Sequence, residues 1–148
     1  MMLKALSVRQ PWATLLVKAN REKKNEAIKP VENRDWSSYY RGPLLIHSAK
    51  TFDDKGYRWI IDNIDLLIES FWPRIEYEQW IESSKDWPRG KLIGQVEMID
   101  CVTHHSSPWF FGPWGHLYEN PVQFEKPVSL RGMPGIFDVP DTVLRGAR

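Results

Sequence analysis

Cysteine is nearly absent from this 148-residue chain. Cys101 stands alone, so no disulfide can form within the chain, and a reducing, cytoplasmic setting is expected. Long hydrophobic runs are missing too: no stretch nears the roughly 18 apolar residues of a membrane span. The opening Met1-Met2-Leu3-Lys4-Ala5-Leu6 meets Arg9 too soon for a secretory signal. A membrane is therefore not an expected partner. Neither a Walker-type phosphate loop nor a dinucleotide-binding glycine fingerprint occurs, and no nucleophile elbow is present. Cys101, His104, His105 and His116 lack the paired spacing of structural zinc ligands, so neither a metal nor a cofactor is expected. Charge of one sign is also lacking. Twenty Lys and Arg balance nineteen Asp and Glu, which excludes a binder held to nucleic acid by bulk electrostatics.

What is present is the composition of a globular protein, with 42% hydrophobic and 26% charged residues. The length suits one domain, expected over residues 1–140, with 141–148 as a C-terminal tail. The charge is unevenly spread. Residues 1–50 hold ten Lys/Arg against four Asp/Glu, whereas residues 51–100 hold six against eleven. A basic opening third would draw an anionic ligand if it forms one face.

Leu3–Val8 reads as a first strand. Pro11 suits the first turn of a helix, in which Trp12, Leu15 and Leu16 form an apolar stripe. Residues 18–26 read as a polar, exposed loop with nothing to order it. A strand is expected over Pro43–Ser48. A helix capped by Thr51 with Asp54 should run through Ile60, Ile64, Leu67, Ile68 and Phe71 to Pro73. Pro73 opens another helix carrying Tyr77, Trp80 and Ile81. Lys91–Cys101 is the strongest strand pattern, with short strands near Leu117–Phe124, Pro127–Leu130 and Ile136–Val139. Scattered strands with clustered helices predict an α+β fold, a small barrel with helices outside it.

The stretch Lys29-Pro30-Val31-Glu32-Asn33-Arg34-Asp35-Trp36 carries the densest chemistry. If residues 31–34 are extended, Glu32 and Arg34 share a strand face. Lys29 joins them only if the chain turns at Pro30, whose fixed φ favours such a bend. Arg34 offers a planar fork for a phosphate or a base edge, and Lys29 a point charge or a base of lowered pKa. Trp36 and Trp12 are candidates for stacking on a nucleobase. Arg9 and Gln10, at the strand-to-helix turn, could read a base edge or phosphate. His47 with Lys50 closes a strand nearby. Glu97, between Val96 and Met98, is a candidate acid or base.

These pieces resemble the ASCH domain family, whose fold is similar to that of PUA domains. The family pattern G-x-K-x-x-E-x-R corresponds to Ala27-Ile28-Lys29-Pro30-Val31-Glu32-Asn33-Arg34, with Ala27 in place of the glycine. Leu6-Ser7-Val8-Arg9-Gln10-Pro11-Trp12-Ala13, Arg41-Gly42-Pro43-Leu44-Leu45-Ile46-His47 and Arg131-Gly132-Met133-Pro134-Gly135-Ile136-Phe137 add to the likeness. The resemblance implies a PUA-like β-barrel of five or six strands, a cleft holding Lys29, Glu32 and Arg34, and RNA or nucleotide binding. Some members are reported to cut RNA, others to hydrolyse an acylated cytidine with a lysine, a threonine and a glutamate. Lys29 and Glu97 would match two of these, while Glu32 occupies the threonine position and has no hydroxyl. Three readings follow. One is a nucleotide- or RNA-binding module with a basic, aromatic-lined cleft; the second is a metal-independent hydrolase of a nucleoside or RNA using Lys29 with Glu32 or Glu97. The third is a protein-interaction module presenting Trp109-Phe110-Phe111 and Trp114 to a protein partner.

Overall fold

Alternating apolar side chains at the start of the chain form strand β1 (Met2–Val8), with Ala5, Leu6 and Val8 buried. In the computed structural model, which describes residues 1–70 and 74–145, β1 lies between β3 (Gly42–Ser48) and β6 (Ile136–Pro140). It runs parallel to the former and antiparallel to the latter. Helix α1 (Trp12–Val17) is the connection on the way from β1 to β2 (Val31–Arg34). Strands β4 (Lys91–Val102) and β5 (Trp114–Ser129) form the longest hairpin. The six strands lie in the order β2-β5-β4-β3-β1-β6.

The fold is thus α+β, but the sheet is an open one. Its ends are β2 and β6, and no ladder joins them among the described residues, so the closed barrel expected from the resemblance is not seen. The sheet is nevertheless strongly bent. Register shifts interrupt the β4–β5 ladder between Leu92/Gly94, Gln95/Glu97 and Met98/Asp100, and such bulges bend and twist a strand pair. The bend brings β2, first in the order, close enough to β1, fifth in the order, for Arg34 Nη2 to donate to the Ser7 carbonyl at 3.0 Å.

Helix α1 has only six residues, yet Ala13 through Val17 are all buried. An apolar stripe was the expectation; burial on every side is what occurs, because the helix lies between two layers. Leu16 and Val17 pack on the sheet with Leu6, Val8, Leu44 and Val96. Leu15 faces the other way, into a cluster with Ile28, Ile60, Leu67, Tyr77 and Trp109. Each such aliphatic side chain contributes about 1.5–3 kcal/mol when fully buried. Close approach of α1 to β4 depends on Gly94, where a Cβ would come within 2.8 Å of the Val17 side chain and 2.3 Å of the Val122 carbonyl.

The expected long helix is two, α2 (Asp54–Asp62) and α3 (Ile64–Ser70), broken at Asn63, whose φ and ψ of −117° and 35° leave the helical region. The cap is Asp53 rather than Thr51, its carboxylate accepting from the Gly56 amide at 3.0 Å. The Phe71 to Pro73 part of the pattern lies outside the described residues. Helix α4 (Arg74–Glu82) carries Tyr77, Trp80 and Ile81 into the Leu15 cluster. The two short strands expected around residues 117–130 are one continuous strand, β5. Beyond Pro140, where the sequence reads as a tail, Asp141–Leu144 form a 3-10 turn. Leu144 is buried with Ala5, Leu45, Leu92, Phe124 and Val139 on the sheet's second face.

The loop of residues 18–26, for which the sequence shows nothing to order it, is tied down. Asn20 is fully buried, and its side-chain oxygen accepts from the amides of Glu22 and Lys23 at 2.8 and 3.1 Å. Backbone bonds Asn20–Glu26 and Ile28–Lys18 close the loop at its base, and the Lys29 amide donates to Leu15 at 3.0 Å. This last bond fixes where Lys29 enters the site.

Candidate functional site

Lys29, Glu32 and Arg34 converge. Lys29 leaves the end of the loop beneath α1 and turns inward before β2 begins, so its ammonium donates to the Val31 carbonyl at 2.5 Å and to Glu32 Oε1 at 3.1 Å. The other carboxylate oxygen of Glu32 accepts from Arg34 Nε at 2.9 Å. Glu32 and Arg34 share a face of β2, as the strand period requires. Lys29 and Glu32 are 3% and 6% exposed, so their pairing takes place away from bulk water.

Burial alone would push the Glu32 carboxyl upward in pKa. The adjacent Lys29 and Arg34 charges and their hydrogen bonds outweigh it, and the group is held below the ordinary carboxylate range. Burial lowers the pKa of Lys29 in spite of the Glu32 charge, which acts the other way. Glu32 is therefore the anionic centre of the triad, with both oxygens engaged. Arg34 is the open member. Its side chain retains 25% of its accessible surface, and Nη1 has no protein partner among the described residues.

The triad forms part of the lining of a cavity of about 320 Å3, together with Ser7, Val8, Arg9, Trp12, Asn33, Asp53 and Phe111. Trp12 lies across it, with the Lys29 ammonium 5.4 Å from its ring centroid and its indole N–H donating to Asp53 Oδ2 at 2.8 Å. That carboxylate also faces Arg9 Nη2 at 4.0 Å. Burial would raise the pKa of Asp53, but the Gly56 amide, the Trp12 indole and Arg9 hold it down. Gly56 keeps this corner tight, since a Cβ there would lie 2.6 Å from Trp12 Nε1.

Phe111 brings an aromatic ring to the mouth, 59% exposed. Asn33, on the opposite face of β2 from the triad, holds it in place. Its side-chain oxygen accepts from the amides of Phe111 and Gly112 at 2.8 and 3.0 Å, and its side-chain nitrogen donates to the Trp109 carbonyl at 3.0 Å. Trp12, Trp59 and Trp109 form a mutual aromatic group, and Phe111 meets Trp59 edge-on.

The remaining sequence candidates divide. Arg9 lines the cavity. Gln10 does not; it is wholly buried, its oxygen accepting from the Thr14 amide and hydroxyl and its nitrogen donating to the Pro88 carbonyl. These bonds occupy Gln10 in anchoring α1. Trp36 is not in the lining, and its carbonyl and ring are paired with His116. Glu97 is exposed, and its carboxylate accepts a 3.4 Å bond from the Asn120 side chain. Val96 and Met98 beside it point into the core, so Glu97 faces outward and is no partner for Lys29. Trp109, offered as a protein contact, is 2% exposed. His47 and Lys50 line a different, neighbouring depression. Ser7, Asn33 and Asp53 line the cavity without being ligand candidates in the sequence, and Phe111, which the sequence offers as part of a protein contact, lines it too.

Among the described residues no group of three or more His, Cys, Asp or Glu side chains is arranged to hold a metal ion, and no helix is long and apolar enough to cross a membrane.

Comparison with known proteins gives one family. The model of the ASCH domain matches residues 6–126, from within β1 to within β5. Activating signal cointegrator 1 from Homo sapiens and from Mus musculus are each 27% identical over 151 residues, an overlap covering 97% of this chain. The chain spans 23% of the length of these curated relatives.

Proposed function

The chain belongs to the ASCH domain family, which is PUA-like, and from that premise we propose that it binds RNA or a nucleotide in the cavity walled by Lys29, Glu32 and Arg34. One observation carries the reading. A buried charge network opens, through Arg34, onto a cavity rimmed by the exposed ring of Phe111. An ion-pair network serving stability alone would be sealed on all sides or spread over a solvated surface. Here Lys29 neutralises Glu32 from behind, and Glu32 in turn orients the Arg34 guanidinium, whose Nη1 meets no protein acceptor among the described residues.

The volume suits one nucleobase or nucleoside, at the small end of ligand sites. Arg9, Lys29 and Arg34 against Glu32 and Asp53 leave the lining one charge positive, which favours an anionic or electron-rich ligand without demanding a polymer. In this reading Phe111 stacks on the base, Arg34 donates to a base edge or phosphate, and Arg9 meets a phosphate at the mouth. Lys29 and Glu32 act by positioning Arg34.

The hydrolytic alternative draws no support from the cavity. Glu97 faces away from it, Glu32 has no hydroxyl, and Glu32 is committed to two cations. The protein-interaction alternative rested on Trp109, Phe110, Phe111 and Trp114; of these Trp109 is buried and Phe111 is exposed, at the mouth of the cavity. A cytoplasmic setting remains part of the proposal, resting on the single cysteine. The relatives' name belongs to much longer proteins, so what is carried over from them is the module alone.

Titration calorimetry with the common ribonucleoside monophosphates tests the reading. Arg34→Ala and Phe111→Ala should each weaken binding by tenfold or more while the circular dichroism spectrum is unchanged. Identical isotherms for wild type and both variants would refute it.

A further inference from the structure

Next to the first cavity lies a larger depression of about 1040 Å3, and its lining is charged in one sense only. Lys50, Arg89 and Arg131 contribute to it along with Ser7, His47, Gly90 and Gly132, and among the described residues no Asp or Glu takes part. None of the three cations has a carboxylate within ion-pairing distance among the described residues, whereas Lys4, Arg9, Lys29, Arg34, Arg41 and Arg74 all do. The three are exposed and come from separate places in the chain: past the end of β3, before β4, and between β5 and β6. Arg89 also lies over the Phe52 ring, 4.8 Å from its centroid, but three cations without carboxylate partners around one depression give it a positive potential that favours an anion.

The depression is joined to the first cavity through one residue. Ser7 lines both. Its carbonyl accepts from Arg34 on one side, and its hydroxyl lies 2.9 Å from His47 Nδ1 on the other. The second ring nitrogen of His47 lies 2.6 Å from the Leu130 carbonyl. A carbonyl only accepts, so Nε2 carries the proton and Nδ1 accepts from the serine. Burial lowers the pKa of His47, in keeping with this neutral form. Gly132 lets the loop settle on the pair, for a Cβ there would stand 2.8 Å from His47 Cε1 and 3.0 Å from Ser7 Oγ. The loop bearing Arg131 is therefore seated on the same Ser7 that Arg34 grips from the first cavity.

We infer that this depression is a phosphodiester subsite, holding the backbone of a single-stranded RNA whose neighbouring base enters the first cavity. The inference rests on the nucleotide-binding reading for the identity of the strand, and it adds where the rest of that strand runs. Its recognition is by charge and is insensitive to base sequence, because the depression offers cations and, among the described residues, no Phe, Tyr or Trp in its lining. Nucleosides and mononucleotides would occupy the first cavity alone; oligonucleotides would engage both.

The test compares wild type with the triple variant Lys50→Ala/Arg89→Ala/Arg131→Ala, using a short single-stranded uridine oligonucleotide and uridine monophosphate as separate probes. All three side chains are exposed, so the variant should fold, as circular dichroism would verify. The oligonucleotide should bind the variant at least about tenfold more weakly, and the slope of log affinity against log salt should fall by about 2, from three lost contacts at about 0.7 each. Monophosphate binding should stay within about twofold. Equal oligonucleotide affinity and slope in the two proteins would overturn the subsite, as would wild type showing no salt-dependent oligonucleotide binding. If instead the triple variant loses oligonucleotide affinity while Phe111→Ala leaves monophosphate binding untouched, the subsite stands and the base cavity falls.

Discussion

Removing the Glu32 carboxylate is the most informative perturbation of the triad. Glu32→Gln keeps the shape of the side chain but leaves two cations facing a neutral amide, one of them, Lys29, 3% exposed. Breaking a buried pair by deleting one partner costs about 3–5 kcal/mol, since the remaining charge is uncompensated. For a domain of this size that is roughly 6–20 °C in melting temperature, and a large part of a total stability of about 5–15 kcal/mol. Lys29→Met should cost less. Glu32 keeps Arg34, the desolvated ammonium is gone, and the main loss is the Val31 carbonyl left without its donor, about 1–3 kcal/mol. The double variant should then be less destabilised than the sum of the singles, because Lys29→Met removes a cation that Glu32→Gln strands. Urea unfolding of the four proteins, followed by tryptophan fluorescence, measures all three quantities. A Glu32→Gln loss below about 1 kcal/mol, or a Lys29→Met loss exceeding it, would refute the view of Glu32 as the anionic centre of a buried network.

Other outcomes follow from the same geometry. Gln10→Ala should lower stability by about 1–3 kcal/mol through the groups it strands, yet leave nucleotide affinity of the folded protein unchanged; weaker binding at constant stability would return Gln10 to the ligand. Gly56→Ala should drive Trp12 off Asp53, lowering stability by about 1–3 kcal/mol and weakening nucleotide binding together, with wild-type affinity counting against the cavity's dependence on Trp12. Burial lowers the pKa of His47 and of His116, more than their backbone hydrogen bonds raise it. A folded-state pKa below the unfolded value of about 6.5 means the unfolded chain takes up protons first on acidification. Stability should therefore be full above that pH and decline between pH 7 and pH 5, and a flat or rising unfolding free energy over that interval in urea melts would contradict the neutral, buried assignment.

Much of the site was legible in the sequence because it is local. Glu32 and Arg34 share a face by strand parity alone, and a turn at Pro30 was enough to bring Lys29 to them. Glu97 could have been discarded by the same parity, since Val96 and Met98 on either side belong to the core; its setting in an apolar strand and the resemblance together suggested a cleft. Gln10 was misread because its acceptor, the Pro88 carbonyl, is 78 residues away, a distance at which sequence spacing says nothing. Phe111 and Asp53 reach the cavity through Asn33 and Trp12, contacts made by tertiary packing. The helix break at Asn63 was hidden by an apolar pattern that continues unbroken in period across it. The open sheet departs from the expected barrel because strand closure depends on edge pairing between β2 and β6, which composition and alternation do not encode.

The most direct test of nucleotide binding is amide chemical-shift mapping of the isotopically labelled protein during titration with uridine monophosphate and the other common ribonucleoside monophosphates. Shifts should concentrate on residues 7–12, 29–34 and 109–112, together with the indole signal of Trp12, and should saturate with a single affinity. Saturable shifts confined to another surface, or no saturable shift with any of these nucleotides, would contradict the cavity at Lys29, Glu32 and Arg34 as the binding site.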